Sequence, residues 1–104
     1  MTIKIIKLIT GEEIVSVVED LLDDNNEKVG FNLTYPYQVI LKPIPMEDGQ
    51  TKFDINYVAW MSTASNTQFP IAYSSVIAVG DPLPEVAQLY KERYDEMFLT
   101  PVEE

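Results

Sequence analysis

Carboxylates are the most numerous reactive side chains in this sequence, and adjacent pairs of them could act as a general acid and a general base. Two such pairs are Glu12-Glu13 and Glu19-Asp20. Adjacent residues of a strand point to opposite faces, which is the wrong geometry for two groups that must share one substrate. The chain also has no His and no Cys, so it lacks the usual base near neutral pH and a thiolate nucleophile. We therefore expect no enzymatic activity.

The segment from Asp23 to Glu27, DDNNE, has the oxygen-rich composition of a calcium loop. In an EF-hand register that begins at Asp23, however, position six is Lys28 rather than Gly, and position twelve is Thr34 rather than Glu. Asn and Asp also bond to their own backbone and tolerate left-handed conformations, which is typical of a turn between strands. The sequence predicts no bound metal and no cofactor.

Aromatic side chains are the remaining candidates for chemistry, because they can stack on the bases of a single-stranded nucleic acid. Phe31, Tyr35 and Tyr37 fall in an alternating segment with Asn32 and Thr34 between them. The alternative is that the aromatics fill the buried face of a strand, which is the more common arrangement in a small β domain.

Charge and length limit the function classes. The 104 residues predict one domain, and the net charge of −10, from seventeen acidic and seven basic residues, argues against a large phosphate-binding surface. No apolar run approaches the roughly 18 residues of a membrane span. Lys4 and Lys7 lie inside an alternating pattern, so we expect no signal peptide. Together with the absence of Cys, this predicts a cytoplasmic protein.

Residues 3–21 organise the predicted fold as two strands that turn back on each other at Gly11, which can adopt the positive φ of a tight turn. The second strand is ambiguous, since Ile14, Val17 and Val18 also recur at helical spacing. Their β-branched side chains favour the strand. A helix remains the alternative.

Three more strands are predicted at 31–44, 53–61 and 71–79. Pro36 cannot donate a ladder hydrogen bond, so it should lie at an edge, a bulge or a break. Asp48-Gly49 marks a turn. The second of these strands has two partly apolar faces, which suits burial on both sides or a contact between subunits.

A helix is predicted to follow, because prolines are favoured in a first turn and an apolar stripe continues behind them. The stripe consists of Val86, Leu89, Tyr90, Tyr94, Met97 and Phe98. The fold class is therefore mostly β: a small, five-stranded, strongly bent antiparallel sheet or open barrel with a C-terminal α-helix. Residues 1–80 would form the barrel, 81–98 an amphipathic helix packed on or beside it, and 99–104 an acidic tail.

Four stretches carry a family resemblance: IKLITGEEIVSVVED near the start, the Tyr35-Pro36 break, a serine-bearing loop before IAYSSVIAV, and PLPEVAQLYKERYDEMF. Together they resemble the Sm-like (LSm) family, in particular the small Sm-like proteins of tailed phages, including cyanophages. The resemblance covers most of the chain and implies an Sm-like barrel. The helix departs from the general family pattern, in which it usually lies at the N-terminus.

The resemblance also implies a site for RNA. Phe31-Asn32-Leu33 is similar to the Met-Asn step of the first Sm motif, and IAYSSV at 71–76 is similar to Ile-Arg-Gly-x-x-Val of the second. In the family the Asn and the Arg grip a base at the inner rim of a ring. Here Ala72-Tyr73 replaces Arg-Gly, so the resemblance implies RNA-binding candidates Phe31, Asn32 and Tyr73 without the Arg.

In the family the fourth strand of one subunit pairs with the fifth of the next, so the resemblance implies a cyclic homo-oligomer of about five to eight subunits. The candidates for this interface are Tyr57, Val58, Trp60, Ile71, Val76 and Ile77. The implied function is a ring that binds single-stranded or U-rich RNA and modulates RNA interactions in the cytoplasm of an infected bacterial host. The alternative is a non-enzymatic acidic scaffold, or a host-protein interaction module, that binds no nucleic acid.

Overall fold

A computed structural model describes residues 2–99 and the side chains of residues 2–96. Within these residues, six strands form one antiparallel sheet that does not close, and one α-helix follows it. The elements are β1 (Ile3–Leu8), β2 (Glu13–Leu22), β3 (Lys28–Pro45), β4 (Thr51–Ala59), β5 (Gln68–Ala72), β6 (Val76–Gly80) and α1 (Pro84–Leu99). The mostly β fold with a C-terminal helix is confirmed. The predicted acidic tail beyond Leu99 lies outside the described residues.

The strand order is β4-β3-β2-β1-β6, and β5 also pairs with β3. The prediction of five strands was wrong by one, because a 3₁₀ turn at Tyr73–Ser75 interrupts the predicted strand 71–79. Before this turn the chain pairs with β3, and after it the chain pairs with β1. The chain therefore changes its pairing strand at this turn. The alternation of apolar and polar residues predicts a strand but carries no information about which strand it pairs with.

The ambiguous second segment forms a strand. Gly11 has φ +97° at the turn between β1 and β2, and its N–H donates to the carbonyl of Leu8 at 2.9 Å. β2 has sheet neighbours on both sides and is buried on both faces. Ile14 and Val18 pack into one cluster, whereas Val15 packs into the other. Alternating β-branched residues suit such a doubly covered strand.

These two clusters lie on opposite faces of the sheet. The inner-face cluster consists of Ile6, Leu8, Ile14, Val18 and Leu33. The helix-face cluster consists of Val15, Val17, Tyr37, Val86 and Tyr90, the last two being residues of α1. The helix therefore covers the sheet face opposite the inner cluster. Of its predicted stripe, Leu89 is exposed, and the side chains of Met97 and Phe98 lie outside the described set.

Pro36 was expected at an edge, a bulge or a break, and the structure places it in a β-bulge of β3. Val15 pairs with Tyr37, but Val17 pairs with Thr34, so β3 has one extra residue at this point. Tyr35, inside the bulge, has φ +50°, a conformation that non-glycine residues seldom adopt. The strand continues through the bulge to Pro45.

The helix is anchored at this bulge by one side chain. The Tyr90 hydroxyl donates to the carbonyl of Thr34 at 2.7 Å and accepts from the N–H of Val17 at 2.9 Å. Ser16, which is fully buried, donates to the same Thr34 carbonyl at 3.0 Å. Tyr90 thus satisfies polar backbone groups that the shifted ladder leaves open.

Candidate functional site

Phe31 and Tyr73 meet in the folded chain although they come from two different motifs. Their ring centroids are 5.1 Å apart at an interplanar angle of 75°, an edge-to-face contact. Phe31 lies in β3 and packs against the inner-face cluster. Tyr73 begins the 3₁₀ turn after β5, and 40% of its surface is exposed. The pair therefore presents an accessible aromatic surface backed by the core.

Gly30 makes this contact possible. It pairs with Ala72 of β5, and a Cβ at this position would lie 2.0 Å from the carbonyl oxygen of Ile71. Only glycine lets the two backbones approach so closely. Sequence reasoning missed Gly30, although an isolated glycine inside a strand pattern is the signal for a close approach.

Asn32, the third predicted RNA-binding residue, is separated from the aromatic pair. It directly follows Phe31 in β3, so its side chain points to the opposite face of the sheet. There its amide nitrogen lies 3.3 Å from the Oε1 of Gln68. The structure therefore brings Phe31 and Tyr73 together and leaves Asn32 apart.

One acidic residue of β2, Asp20, shares the sheet face of Phe31, whereas Glu19 shares the opposite face with Asn32. Asp20 is the ladder partner of Phe31, and Glu19 is the partner of Asn32. Lys28 forms an ion pair with Asp20 at 3.2 Å, so this cation is engaged within the chain. An ion-paired carboxylate beside the rings supplies no attraction for phosphate. The site is suited to stacking on an uncharged ring system rather than to holding a phosphate backbone.

The six interface candidates divide into two groups. Tyr57, Trp60, Ile71 and Val76 pack against the two clusters of their own chain. Val58 and Ile77 are 47% and 63% exposed and lie on β4 and β6. Within the described residues, no strand pairs with the outer edge of β4 or of β6. These two edges are therefore open to strands of another molecule.

Trp60 has a specific role inside the chain. Its indole N–H donates to the Glu12 carboxylate at 2.9 Å, and its ring makes an edge-to-face contact with Phe69 at 6.0 Å. Its backbone N–H donates to the carbonyl of Pro36 at 3.0 Å. Trp60 thus joins the end of β4 to the first turn and to the bulge.

Tyr57 differs from Trp60 because its hydroxyl is buried without a hydrogen-bond partner among the described residues. Burial raises the pKa of Tyr57, and the positive charge of Arg93 opposes that rise.

A surface that sequence reasoning did not single out is the two-stranded end of the sheet, residues 40–56, which we call the ribbon. β2 pairs with β3 as far as Val39, and beyond that residue β3 pairs with β4. The large apolar side chains exposed on the ribbon are Ile40, Leu41, Ile44, Met46 and Phe53. The signal in the sequence is a continued apolar alternation on both sides of the Asp48-Gly49 turn.

No group of three His, Cys, Asp or Glu side chains among the described residues is arranged to hold a metal ion. Over the same part of the chain, no helix has both the length and the apolar character needed to cross a bilayer.

No protein-family model matches this chain, and no curated protein matches its sequence.

Proposed function

We propose that this chain is a phage-type, Sm-like protein that forms a ring of about five to eight copies and binds single-stranded RNA in the cytoplasm of an infected bacterial host. The observation that carries the proposal is the contact of Phe31 with Tyr73, whose centroids are 5.1 Å apart. Stacking of one base on an aromatic side chain contributes ~1–3 kcal/mol and tolerates any base.

The open edges of the sheet support the ring. An edge strand with unpaired backbone groups tends to pair with another chain. Pairing of β4 of one copy with β6 of the next would cover both edges and bury Val58 and Ile77. A closed ring repeats this head-to-tail contact until no β4 or β6 edge is left.

The charge of the site predicts how the RNA is held. Since Asp20 is the ladder partner of Phe31 and Lys28 is already paired with Asp20, few phosphates are neutralised, and few counterions are released on binding. We therefore expect the affinity to depend weakly on salt and to come mainly from stacked bases.

Titration of labelled U-rich and A-rich oligoribonucleotides, followed by fluorescence anisotropy at low and physiological salt, tests this site. Tyr73→Ala should weaken binding about tenfold, because one stacked base is worth ~1–3 kcal/mol. Asn32→Ala is the matched control, since it truncates a polar side chain on the opposite face of β3 and should leave affinity unchanged. Equal losses in both variants would contradict the aromatic site.

The second candidate is an acidic scaffold that binds basic protein surfaces and no nucleic acid. Its support is the excess of seventeen acidic over seven basic residues, which include Asp20 beside Phe31. The same titration decides between the two functions. Absence of RNA binding even at low salt, together with salt-sensitive binding of a labelled oligolysine peptide, would favour the scaffold.

A further inference from the structure

We propose that Asp20 makes the site beside Phe31 selective for guanine over uracil in the bound strand. This inference rests on the proposed function and deepens it by naming the base that the site prefers. Stacking on Phe31 and Tyr73 accepts any base, so a preference must come from a polar group that contacts the edge of the stacked base. The position of Asp20 in the sheet fits this role.

A cavity of about 430 Å³ opens beside Phe31 on the inner face of the sheet. This volume lies within the usual range of ligand pockets, ~300–1,000 Å³. Asp20 and Val18 also line the cavity. Asp20 is the ladder partner of Phe31, and Val18 lies two residues earlier on the same face of β2. A base that stacks on Phe31 can therefore place its edge next to the Asp20 carboxylate.

The other polar residues of this cavity are less suited to choosing a base. Lys4 is already ion-paired with Asp81 of the same chain. Glu19 borders the cavity from the neighbouring position of β2, but the alternation of the strand directs its side chain to the opposite face. Thr2 has a hydroxyl that both donates and accepts, so it fits every base. The discriminating group is therefore Asp20.

Lys28 leaves this carboxylate able to accept further hydrogen bonds. Its Nζ lies 3.2 Å from Oδ2 of Asp20, and 47% of the Asp20 side chain is exposed. A carboxylate has about four acceptor positions, so it can accept from a neutral amino edge while the ion pair persists. A cationic ligand would instead compete with Lys28 for the same negative charge. The site is therefore suited to an uncharged base rather than to a basic side chain.

Guanine is the base whose edge matches a carboxylate. Its ring N1–H and its exocyclic amino group lie side by side and donate in the same direction, so each carboxylate oxygen accepts one hydrogen bond. Uracil has one N–H between two carbonyl oxygens, which would face the negative charge of Asp20. Adenine and cytosine place an acceptor nitrogen beside the amino group, so they form one favourable bond. The donor pattern therefore favours guanine.

Fluorescence anisotropy with three labelled oligoribonucleotides tests the preference. The first is U-rich, the second has one central G in place of U, and the third has inosine at that position. Inosine keeps the ring N–H of guanine and lacks the amino group. The strand with G should bind about tenfold more tightly than the other two, as expected for one bidentate contact to a base. Equal binding of all three, each weakened by Tyr73→Ala, would overturn the guanine preference and leave RNA binding intact.

Asp20→Asn assigns the preference to one side chain. The amide has a similar shape but replaces one acceptor oxygen by a donor, so the strand with G should lose its advantage. Glu19→Gln is the matched control, because it removes the same charge from the neighbouring residue on the opposite face and should retain the preference. A preference that survives Asp20→Asn, or that both variants lose equally, would contradict the role of Asp20.

Two further ligands separate this inference from the proposed function. Failure of every strand to bind would overturn the RNA function, and equilibrium dialysis of guanosine and uridine then decides the base site. Guanosine binding that Asp20→Asn abolishes would support guanine recognition without RNA, whereas no binding of either nucleoside overturns both proposals. Binding of a labelled oligolysine peptide that is lost in Asp20→Asn and kept in Glu19→Gln would reassign the site to a basic protein partner and overturn the inference.

Discussion

Two stretches of one sheet face differ in whether the chain's own helix covers them. Tyr37, beside the bulge, faces α1 and is 9% exposed. Leu41, four residues farther along β3 on the same face, is 54% exposed. Both stretches have the same alternation of apolar residues. The difference shows that alternation determines which side chains share a face and leaves open what covers that face.

The helix covers the first stretch because of the bulge. There the shifted ladder leaves the N–H of Val17 and the carbonyl of Thr34 available, and the Tyr90 hydroxyl bonds to both. The ribbon has regular β3–β4 pairing from Tyr37–Ala59 to Pro45–Thr51 and offers no comparable polar anchor. Its exposed apolar side chains therefore lack the cover that the helix gives to Tyr37.

The largest loss of stability is expected from Tyr90→Ala, which removes the helix side chain that packs against the stretch around Tyr37. We expect the free energy of unfolding to fall by about 3–5 kcal/mol, the usual loss for truncation of a fully buried aromatic residue. Urea denaturation followed by circular dichroism measures it. Leu89→Ala is the matched control, because Leu89 precedes Tyr90 in the helix and is 41% exposed. This variant should lower the free energy of unfolding by no more than about 0.5 kcal/mol. Similar losses in both variants would show that α1 is not held through Tyr90.

A smaller effect is expected from Tyr90→Phe, which keeps the ring and removes the hydroxyl. The loss should be about 1–3 kcal/mol, because the buried Val17 N–H and Thr34 carbonyl each lose a partner. Burial raises the pKa of Tyr90 from 10.0 to about 12. The folded chain therefore retains a proton that the unfolded chain releases, so the stabilisation is present below pH 10 and is lost as pH rises through about 12.

Urea denaturation of both chains near pH 8 and near pH 11 checks this dependence. The difference between the unmodified chain and Tyr90→Phe should shrink at the higher pH, and the variant serves as the control for the other tyrosines. A difference that stays constant would contradict a buried, proton-donating hydroxyl at the bulge.

The smallest effect on the folded monomer should come from Phe53→Ser in the ribbon. Since Phe53 is 56% exposed, the free energy of unfolding at low protein concentration should change by no more than about 0.5 kcal/mol. A large loss of monomer stability would mean that the ribbon is supported within its own chain.

The candidate site shows which features local sequence patterns predict and which they miss. Phe31 and Tyr73 were predicted as candidates from two separate motifs, and the structure places their rings in contact. Asn32 was predicted beside them, but the alternation of β3 turns it to the other face, where Gln68 is its neighbour. Gly30, which permits the approach of β5, was missed because its importance depends on a strand that is distant in the sequence.

The sequence by itself determined the elements that depend on neighbouring residues. β-Branched alternation favoured the strands, Gly11 specified the turn between β1 and β2, and Asp48-Gly49 specified the turn between β3 and β4, where Gly49 has φ +83°. The tertiary structure alone decided the change of partners at Tyr73–Ser75 and the bulge at Tyr35 that receives Tyr90. These features depend on pairing register between distant segments, because one extra residue in a strand redirects every side chain beyond it.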